Sequence, residues 1–170
     1  FAKAAAASQA SVQDLTQSMR YGSTVGTQYK QNVDETMAAL ALLAKVNVTG
    51  TSAGTAYRNM LKEMYTPTKQ AAEVWQQLGI SMQKAVKGPD GKEVQKVKSF
   101  VEVINELRSK INKLDEPSQV KITDKLSGER GSKELVAMLA LTEKQWDDFY
   151  TKIAEKSEGF AKKVADDLNA

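Results

Sequence analysis

The stretch VNVTGTSAGT, residues 46–55, places two glycines, Gly50 and Gly54, four positions apart among hydroxyl side chains. Such a stretch either cradles a phosphate or joins two helices. A phosphate-binding P-loop follows a strand and has Lys-Ser/Thr after its last glycine, because the lysine reaches the outer phosphates. Here the preceding residues favour a helix, and the next lysine is Lys62. The glycine spacing also departs from the dinucleotide-binding fingerprint, so we interpret the stretch as a structural turn that holds no ligand.

This interpretation gives the two glycines separate tasks. Gly50 can adopt the left-handed backbone conformation that ends a helix, and Thr51 or Ser52 can cap the helix that follows. Gly54 presents almost no side chain, so the second helix can approach the first closely. We therefore expect Gly50 and Gly54 to be structural turn residues.

The residues before the turn predict two helices. Residues 37–46, MAALALLAKV, are apolar on nearly every side, which is typical of a helix buried at the centre of a domain. Asn32 and Glu35 form a capping-box signature at its start. Earlier apolar residues at helical spacing indicate an amphipathic helix, which we expect to be interrupted near Gly22 and Gly26.

Beyond the turn, apolar residues at helical spacing continue the chain as a helix. Thr66-Pro67 predicts the start of another, with Thr66 as its N-cap and Pro67 in the first helical position. Gly79 is the expected stop of that helix.

A short β-hairpin is predicted at about residues 80–98, where the period changes around the turn signal Gly88-Pro89-Asp90-Gly91. Its lysines form the one locally basic patch: Lys84, Lys87, Lys92, Lys96 and Lys98. A solvated edge that resists aggregation is the default explanation. Nucleic-acid contact is the alternative, and the absence of interleaved aromatic residues weakens it.

A longer amphipathic helix is predicted at the C-terminus, behind a capping-box signature at Thr142 and Gln145. Its apolar residues recur in steps of three and four, as in a coiled coil. We call them the C-terminal seam and predict a self-association surface; they are Trp146, Tyr150, Ile153, Phe160, Val164 and Leu168.

The fold class that follows is mainly α: a compact multi-helix domain with one small hairpin and the C-terminal amphipathic helix. With 170 residues, of which 41% are hydrophobic, the chain is long enough for one core. We interpret residues 1–170 as a single domain, with a helical core over 1–80, the hairpin over 81–98 and a helical remainder over 99–170.

Composition excludes several kinds of chemistry. The chain has no cysteine and no histidine, so Cys/His metal sites and a Ser-His-Asp triad are impossible. The adjacent pairs Asp147-Asp148 and Asp166-Asp167 point about 100° apart on a helix, so neither converges on a substrate. We expect no catalytic residue, cofactor or metal. The net charge of +3 predicts no nucleic-acid specificity, and no run approaches the ~20 apolar residues of a membrane span.

Several ordered motifs resemble the conserved domain of tailed-phage tape-measure proteins. Residues 33–44, VDETMAALALLA, are similar to the family's ETxAALALLA helix, and residues 50–61, GTSAGTAYRNML, to its KGxxAGTALRxML segment. Residues 67–73, PTKQAAE, and 78–80, LGI, resemble its P(S/T)KEAAxxLxxLGI segment. Residues 126–135 resemble its FGxRGxxAL element, with Ser127 where the family usually has phenylalanine.

The resemblance, which covers roughly residues 12–140, implies a non-enzymatic structural protein of a phage or prophage tail. Such proteins run inside the tail tube, set the length of the tail and leave ahead of the DNA. The implied partners are tail tube, tail-tip and tail-assembly chaperone proteins. The implied locations are the tail lumen of the virion and, during assembly, the bacterial host cytoplasm.

Two alternatives stay open at this point. Some tape-measure proteins carry a bacterial cell-wall hydrolase module, which a carboxylate enzyme could provide without histidine or cysteine. A membrane-active segment is the other, suggested by MAALALLAKV. Ten residues are too short to span a bilayer alone, and burial in the core explains them better.

Overall fold

The computed structural model describes residues 12–127 and 133–153 of the chain. Within those ranges the fold is mainly α, with eight helices and one small antiparallel hairpin, as the sequence predicted. The elements are α1 (Val12–Gln28), α2 (Val33–Lys45), α3 (Gly50–Tyr65), α4 (Lys69–Leu78), β1 (Gln83–Lys87), β2 (Glu93–Val97), α5 (Phe100–Ile111), α6 (Glu116–Ser127), α7 (Lys133–Leu139) and α8 (Glu143–Ile153).

Helix α2 forms the centre of the core, as its all-round apolar sequence predicted. Every residue from Thr36 to Ala44 is buried, and α1, α3 and α5 pack against it. The predicted capping box is formed: Asn32 Oδ1 accepts from the Glu35 N–H at 2.8 Å, and Glu35 Oε1 accepts from the Asn32 N–H at 3.2 Å. A helix without a polar face has to be covered on all sides, so α2 determines where its neighbours lie.

The turn between α2 and α3 uses Asn47 as well as Gly50. Asn47, with φ 65°, is the left-handed residue that follows α2, and the Val48 N–H donates to the Leu43 carbonyl at 2.9 Å, as in a Schellman motif. Asparagine adopts this conformation more readily than most residues. Gly50, with φ +64°, is instead the first residue of α3. Thr49 holds the N-cap position, and neither residue that we expected there does so.

Helical glycines let α1 approach both α2 and α3 more closely than side chains would allow. A Cβ atom on Gly54 would lie 2.6 Å from Tyr21 Cβ, and one on Gly26 would lie 2.2 Å from Thr36 Oγ1. On Gly22 a Cβ would lie 2.9 Å from a methyl carbon of α2. These distances are too short for close-packed atoms. The close partner of Gly54 is therefore α1, and not α2 as we expected.

Helix α1 runs unbroken from Val12 to Gln28, so the expected interruption near Gly22 and Gly26 is wrong. Glycine in a helix interior costs about 1 kcal/mol relative to alanine. That cost is too small to break a helix that packs against two neighbours. The glycines of α1 make space for those neighbours instead of making a bend.

The boundary between α3 and α4 also differs from the expectation. Thr66 is the C-cap of α3, and its N–H donates to the Lys62 carbonyl at 2.8 Å. Thr68 is the N-cap of α4, and its hydroxyl accepts from the Ala71 N–H at 3.3 Å. Pro67 disfavours helical backbone in the residue before it, so α3 ends at Thr66. The next helix begins later than predicted, because Thr68 supplies the capping hydroxyl. Gly79, with φ 68°, ends α4 as predicted.

The hairpin and the start of α8 match the sequence predictions. Strands β1 and β2 pair with each other inside the predicted range of 80–98. At the start of α8, Gln145 Oε1 accepts from the Thr142 N–H at 3.0 Å, and Thr142 Oγ1 accepts from the Gln145 N–H at 3.1 Å. These two bonds form the predicted capping box.

Replacing Gly54 by alanine tests the close contact of α1 with α3. Alanine improves helix propensity by about 1 kcal/mol, but its Cβ would collide with the Cβ atom of Tyr21, which cannot rotate away. We expect Gly54→Ala to lower the free energy of unfolding by about 1–3 kcal/mol, the usual cost of overpacking. Urea denaturation followed by circular dichroism measures this change.

The matched control is Thr55→Ala, at the next position of the same helix, where the side chain is exposed. Its free energy of unfolding should change by no more than about 0.5 kcal/mol. A Gly54→Ala protein as stable as the wild type would contradict the close contact.

Candidate functional site

Trp146, the first residue of the predicted C-terminal seam, is buried inside this chain. It is 3% exposed, and its Nε1–H donates to Asn105 Oδ1 on α5 at 2.8 Å. The half-buried Tyr150 stacks on the Trp146 ring with centroids 6.0 Å apart. Phe149, which the sequence analysis did not single out, is fully buried beside it. This start of the seam therefore packs onto its own chain.

The side chains of the remaining seam residues are not among those that the structure describes. Ile153 is the last residue of α8, and its side chain is not described. Phe160, Val164 and Leu168 lie outside the described residues. Self-association through this seam stays a prediction.

Arg108 joins α5 to the end of α7. One terminal nitrogen donates to the carbonyls of Met138 and Leu139 at 2.9 and 3.1 Å, and the other donates to the Leu141 carbonyl at 2.9 Å. The guanidinium also lies over the Trp146 ring, 5.0 Å from its centroid. Its rigid fork of donors suits the carbonyls left unpaired at a helix end. We call this group the Arg108 clamp, and it holds α7 and α8 against α5.

The charge of Arg108 is compensated within the fold. The residue is 4% exposed, and burial lowers the pKa of its guanidinium, while the carboxylates of Glu143 and Asp147 act in the opposite direction. Glu143 Oε1 lies 3.9 Å from an Arg108 nitrogen. A buried charge is tolerated when its hydrogen bonds are made and a counter-charge is near, so removing these partners would leave it uncompensated.

An open cleft of about 390 Å³ lies beside the Arg108 clamp, between α5 and α8. Its two carboxylates, Glu143 and Asp147, are one turn apart on the same helix, and Asn112 Nδ2 donates to Glu143 Oε1 at 2.8 Å. A glycosidase pair faces its substrate from opposite sides of a cleft. The described lining of this cleft presents both carboxylates from one side and therefore lacks such a pair.

Gln31 connects the base of the hairpin to the helices. It is 5% exposed; its Nε2 donates to the Lys98 carbonyl at 3.1 Å, and its Oε1 accepts from the Phe100 N–H at 3.0 Å. The Tyr65 hydroxyl donates to the same Lys98 carbonyl, and Tyr29 stacks on Tyr65. We call this group the Gln31 junction. It sets the point from which the hairpin leaves the core.

The hairpin carries more positive charge than its neighbours compensate. Lys84 pairs with Glu102, and Lys98 Nζ lies 2.8 Å from Glu106 Oε2, so both pairs attach the hairpin to α5. The remaining hairpin lysines are exposed and form no ion pair within residues 12–127 and 133–153; they are Lys87, Lys92 and Lys96. These three lysines make the exposed surface of the hairpin locally basic.

The part of the chain that the structure describes offers neither a metal site nor a membrane-spanning helix. That part holds no group of three or more acidic side chains placed to bind a metal ion. None of its helices combines the length and the apolar character needed to cross a bilayer. A small cavity beside Trp75 has a volume of about 20 Å³, which is room for one water molecule.

The sequence analysis missed Arg108 and Gln31, the two residues that organise these contacts. Arg108 follows Leu107 within the apolar face of α5, and a charged residue next to a buried stripe was the available signal. Gln31 precedes the cap residue Asn32 and resembles any polar loop residue. No local pattern indicates that its partners are Lys98 and Phe100.

Closely packed helices, fixed by buried polar side chains, define a mainly α domain in the part of the chain that the structure describes. The chain belongs to the family of phage-related minor tail proteins, whose model matches residues 1–128. Its role is therefore structural, in a phage tail. The resemblance to tape-measure proteins seen in VDETMAALALLA and GTSAGTAYRNML is confirmed.

Among curated proteins, the chain is similar to the tape measure protein of Pneumococcus phage Dp-1, with 33% identity over 81 residues. Those residues make up 48% of this chain and 7% of that protein. The chain thus corresponds to a small part of its relative. No solved structure matches it significantly.

Replacing Arg108 by lysine tests the Arg108 clamp. Lysine keeps the positive charge but loses the fork that reaches three carbonyls. We expect the free energy of unfolding to fall by about 3 kcal/mol, because hydrogen bonds to charged groups contribute about 1.5–3 kcal/mol each. Urea denaturation measures the loss, and near-ultraviolet circular dichroism reports the environment of Trp146.

The control is Arg58→Lys, since Arg58 is exposed on α3. Its stability should stay within about 0.5 kcal/mol of the wild type. If Arg108→Lys and Arg58→Lys had the same effect, the clamp would not stabilise the fold.

Burial also predicts how stability changes at alkaline pH. Burial raises the pKa of the Tyr65 hydroxyl, and that of Tyr57, above the ordinary value. Because the folded pKa is the higher one, this contribution to stability is complete below the unfolded pKa of about 10 and is lost as pH rises above it. The free energy of unfolding should therefore decrease above pH ~10.

The variant Tyr65→Phe separates the contribution of Tyr65. Its stability should depend less steeply on alkaline pH than that of the wild type, as measured by urea denaturation at a series of pH values. Equal slopes for the two proteins would show that Tyr65 does not resist ionisation.

Proposed function

We propose that this chain is a folded module of a tape-measure protein that acts in tail assembly and in determining tail length through protein–protein contacts, without catalysis. The observation that carries the proposal is that its helices fold back on one another. Helix α1 packs on both α2 and α3, with helical glycines leaving room at both contacts. Such a folded module exposes the outer faces of its elements, which can contact other proteins.

The helix lengths support an anchoring role over a measuring one. A ruler needs axial rise, and an α-helix supplies 1.5 Å per residue. The longest helix in the described ranges is α1, whose 17 residues rise about 26 Å. The helices after it reverse direction to cover α2. Residues placed in such a fold add little to an extended length, so we assign the measured length to other parts of the protein.

The partners follow from this assignment. The module would contact tail tube, tail-tip or tail-assembly chaperone proteins, and it would meet the chaperones in the host cytoplasm and the tube proteins in the tail lumen. Copies of the chain would associate through the C-terminal seam. Two exposed features support partner contacts: the hairpin lysines that form no ion pair with other described residues, and α8, which the Arg108 clamp holds beside an open cleft.

A pair of deletions in a phage that encodes this chain tests the proposal. The first removes the module. The second removes the same number of residues from a long helical region elsewhere in the same protein. Electron microscopy gives tail lengths, and plaque assays give infectivity. We expect the second deletion to shorten tails by about 250 Å, from 170 residues at 1.5 Å each, and the first to prevent assembly of infectious tails.

The second deletion is also the control, since it removes equal mass without removing the module. Infectious tails that are shortened proportionally by both deletions would contradict an anchoring role and would make this segment part of the ruler.

A further inference from the structure

Hydrogen bonds at the base of the hairpin determine which backbone groups face outward. The Lys98 N–H donates to the carbonyl of Met82, the residue opposite it, at 2.9 Å. Bonded and non-bonded pairs alternate along an antiparallel ladder. The even-numbered residues of β2 therefore bond to β1, and the odd-numbered residues turn outward. Glu93 and Gln95 direct their N–H and C=O groups away from the hairpin.

No other strand among the described residues pairs with this outer edge of β2. All residues from Glu93 to Lys96 are exposed, and no hydrogen bond within the described residues uses the outward backbone groups of Glu93 or Gln95. The outer edge of β1 is less accessible, because the Gln83 N–H donates to Ser81 Oγ at 3.2 Å and alternate residues of β1 are half-buried.

The side chains along β2 carry a charge pattern. Three residues alternate with the outward-bonding residues and so place their side chains on one face of the hairpin; they are Lys92, Val94 and Lys96. Val94 is 46% exposed, and both lysines lack an ion pair in the described residues. A strand placed alongside β2 would meet a positive, an apolar and a positive side chain in turn.

We infer that the outer edge of β2 binds an extended, acidic segment of another protein, which adds a third strand to the hairpin. This inference rests on the proposed assembly role and names the surface that performs it. The segment would carry an acidic residue, an apolar residue and a second acidic residue at alternate positions. Backbone bonds at Glu93 and Gln95 would supply affinity, and Lys92, Val94 and Lys96 would supply selectivity.

Two other occupants fit the edge less well. A second copy of the chain would bring its own β2 lysines onto the same face, where like charges on neighbouring strands are destabilising. Nucleic acid fits poorly because residues 81–98 contain no aromatic side chain on which bases could stack. The free N–H and C=O groups of a strand edge are complementary to another peptide backbone.

A binding assay on the 170-residue chain tests the inference. The probe is a fluorescent heptapeptide, Thr-Glu-Thr-Val-Thr-Glu-Thr, and the comparison probes are the same peptide with lysine in place of glutamate and a single-stranded DNA oligonucleotide. Fluorescence anisotropy gives each Kd. We expect the acidic peptide to bind at least about tenfold more tightly than the lysine peptide.

Two pairs of variants separate backbone pairing from charge. Gln95→Pro removes the outward N–H without breaking a bond to β1, and Gln95→Thr keeps it. Lys96→Glu reverses the edge charge while placing a carboxylate opposite Lys84, and Lys69→Glu makes the same charge change at an exposed position on α4. We expect Gln95→Pro and Lys96→Glu each to weaken binding by about tenfold, and their controls to change it less than about twofold.

Hydrogen exchange supplies the structural readout. Peptide binding should slow exchange of the Glu93 and Gln95 amides, which face outward, and leave the Val94 and Lys96 amides nearly unchanged. Absence of peptide binding, unchanged Glu93 and Gln95 exchange in the complex, or tighter binding of the oligonucleotide would each overturn the inference. Loss of binding in Lys96→Glu but not in Gln95→Pro would also overturn it, because the lysines would then act without strand pairing.

The peptide assay and the phage deletions fail independently. A hairpin that binds no acidic strand would leave the module's assembly role in place on another surface. If deletion of the module gave infectious tails that are only proportionally shorter, the assembly role would be contradicted, whatever the hairpin binds.

Discussion

The contact of α1 with α2 and α3 is the constraint on which the rest of the structure depends. Helix α2 is apolar on every side and has to be enclosed. Glycine at positions 22 and 26 leaves room for side chains of α2, and glycine at position 54 leaves room for Tyr21 of α1, so that α1 packs closely on both neighbours. At such distances many weak dispersion contacts add up, and any added atom would push the helices apart. The glycine stretch that suggested a phosphate site is thus a packing surface.

Buried polar side chains extend this core to the second half of the described chain. Gln31 and Tyr65 donate to one carbonyl at the base of the hairpin, and Arg108 donates to three carbonyls at the end of α7 and just beyond it. Such groups are costly to bury unless they are fully hydrogen-bonded, so each group fixes one arrangement of the elements that it joins. The fold thereby holds a basic hairpin and an amphipathic helix in set positions, as the proposed partner contacts in a phage tail require.

Features with local causes were predictable from the sequence. The capping boxes at Asn32 and Thr142, the buried helix α2 and the hairpin all depend on neighbouring residues. The errors arose where distant residues decide. Gly22 and Gly26 suggested a break because sequence does not show that α2 fills the space beside them. Gly54 contacts Tyr21, more than thirty residues away, and Gln31 binds Phe100. The motif resemblance identified the family because these packing requirements leave a recurring residue pattern in the sequence.

Native-state hydrogen exchange of the chain tests the central claim most directly, because it gives an opening free energy for each helix. If glycine contacts hold α1 against α2 and α3, amides near Gly22 and Gly26 should exchange only through global unfolding, together with those of Leu40 and Leu43. Exchange of α1 at a much lower free energy than α2 would contradict the account. It would show that α1 opens independently and that the core is held together elsewhere.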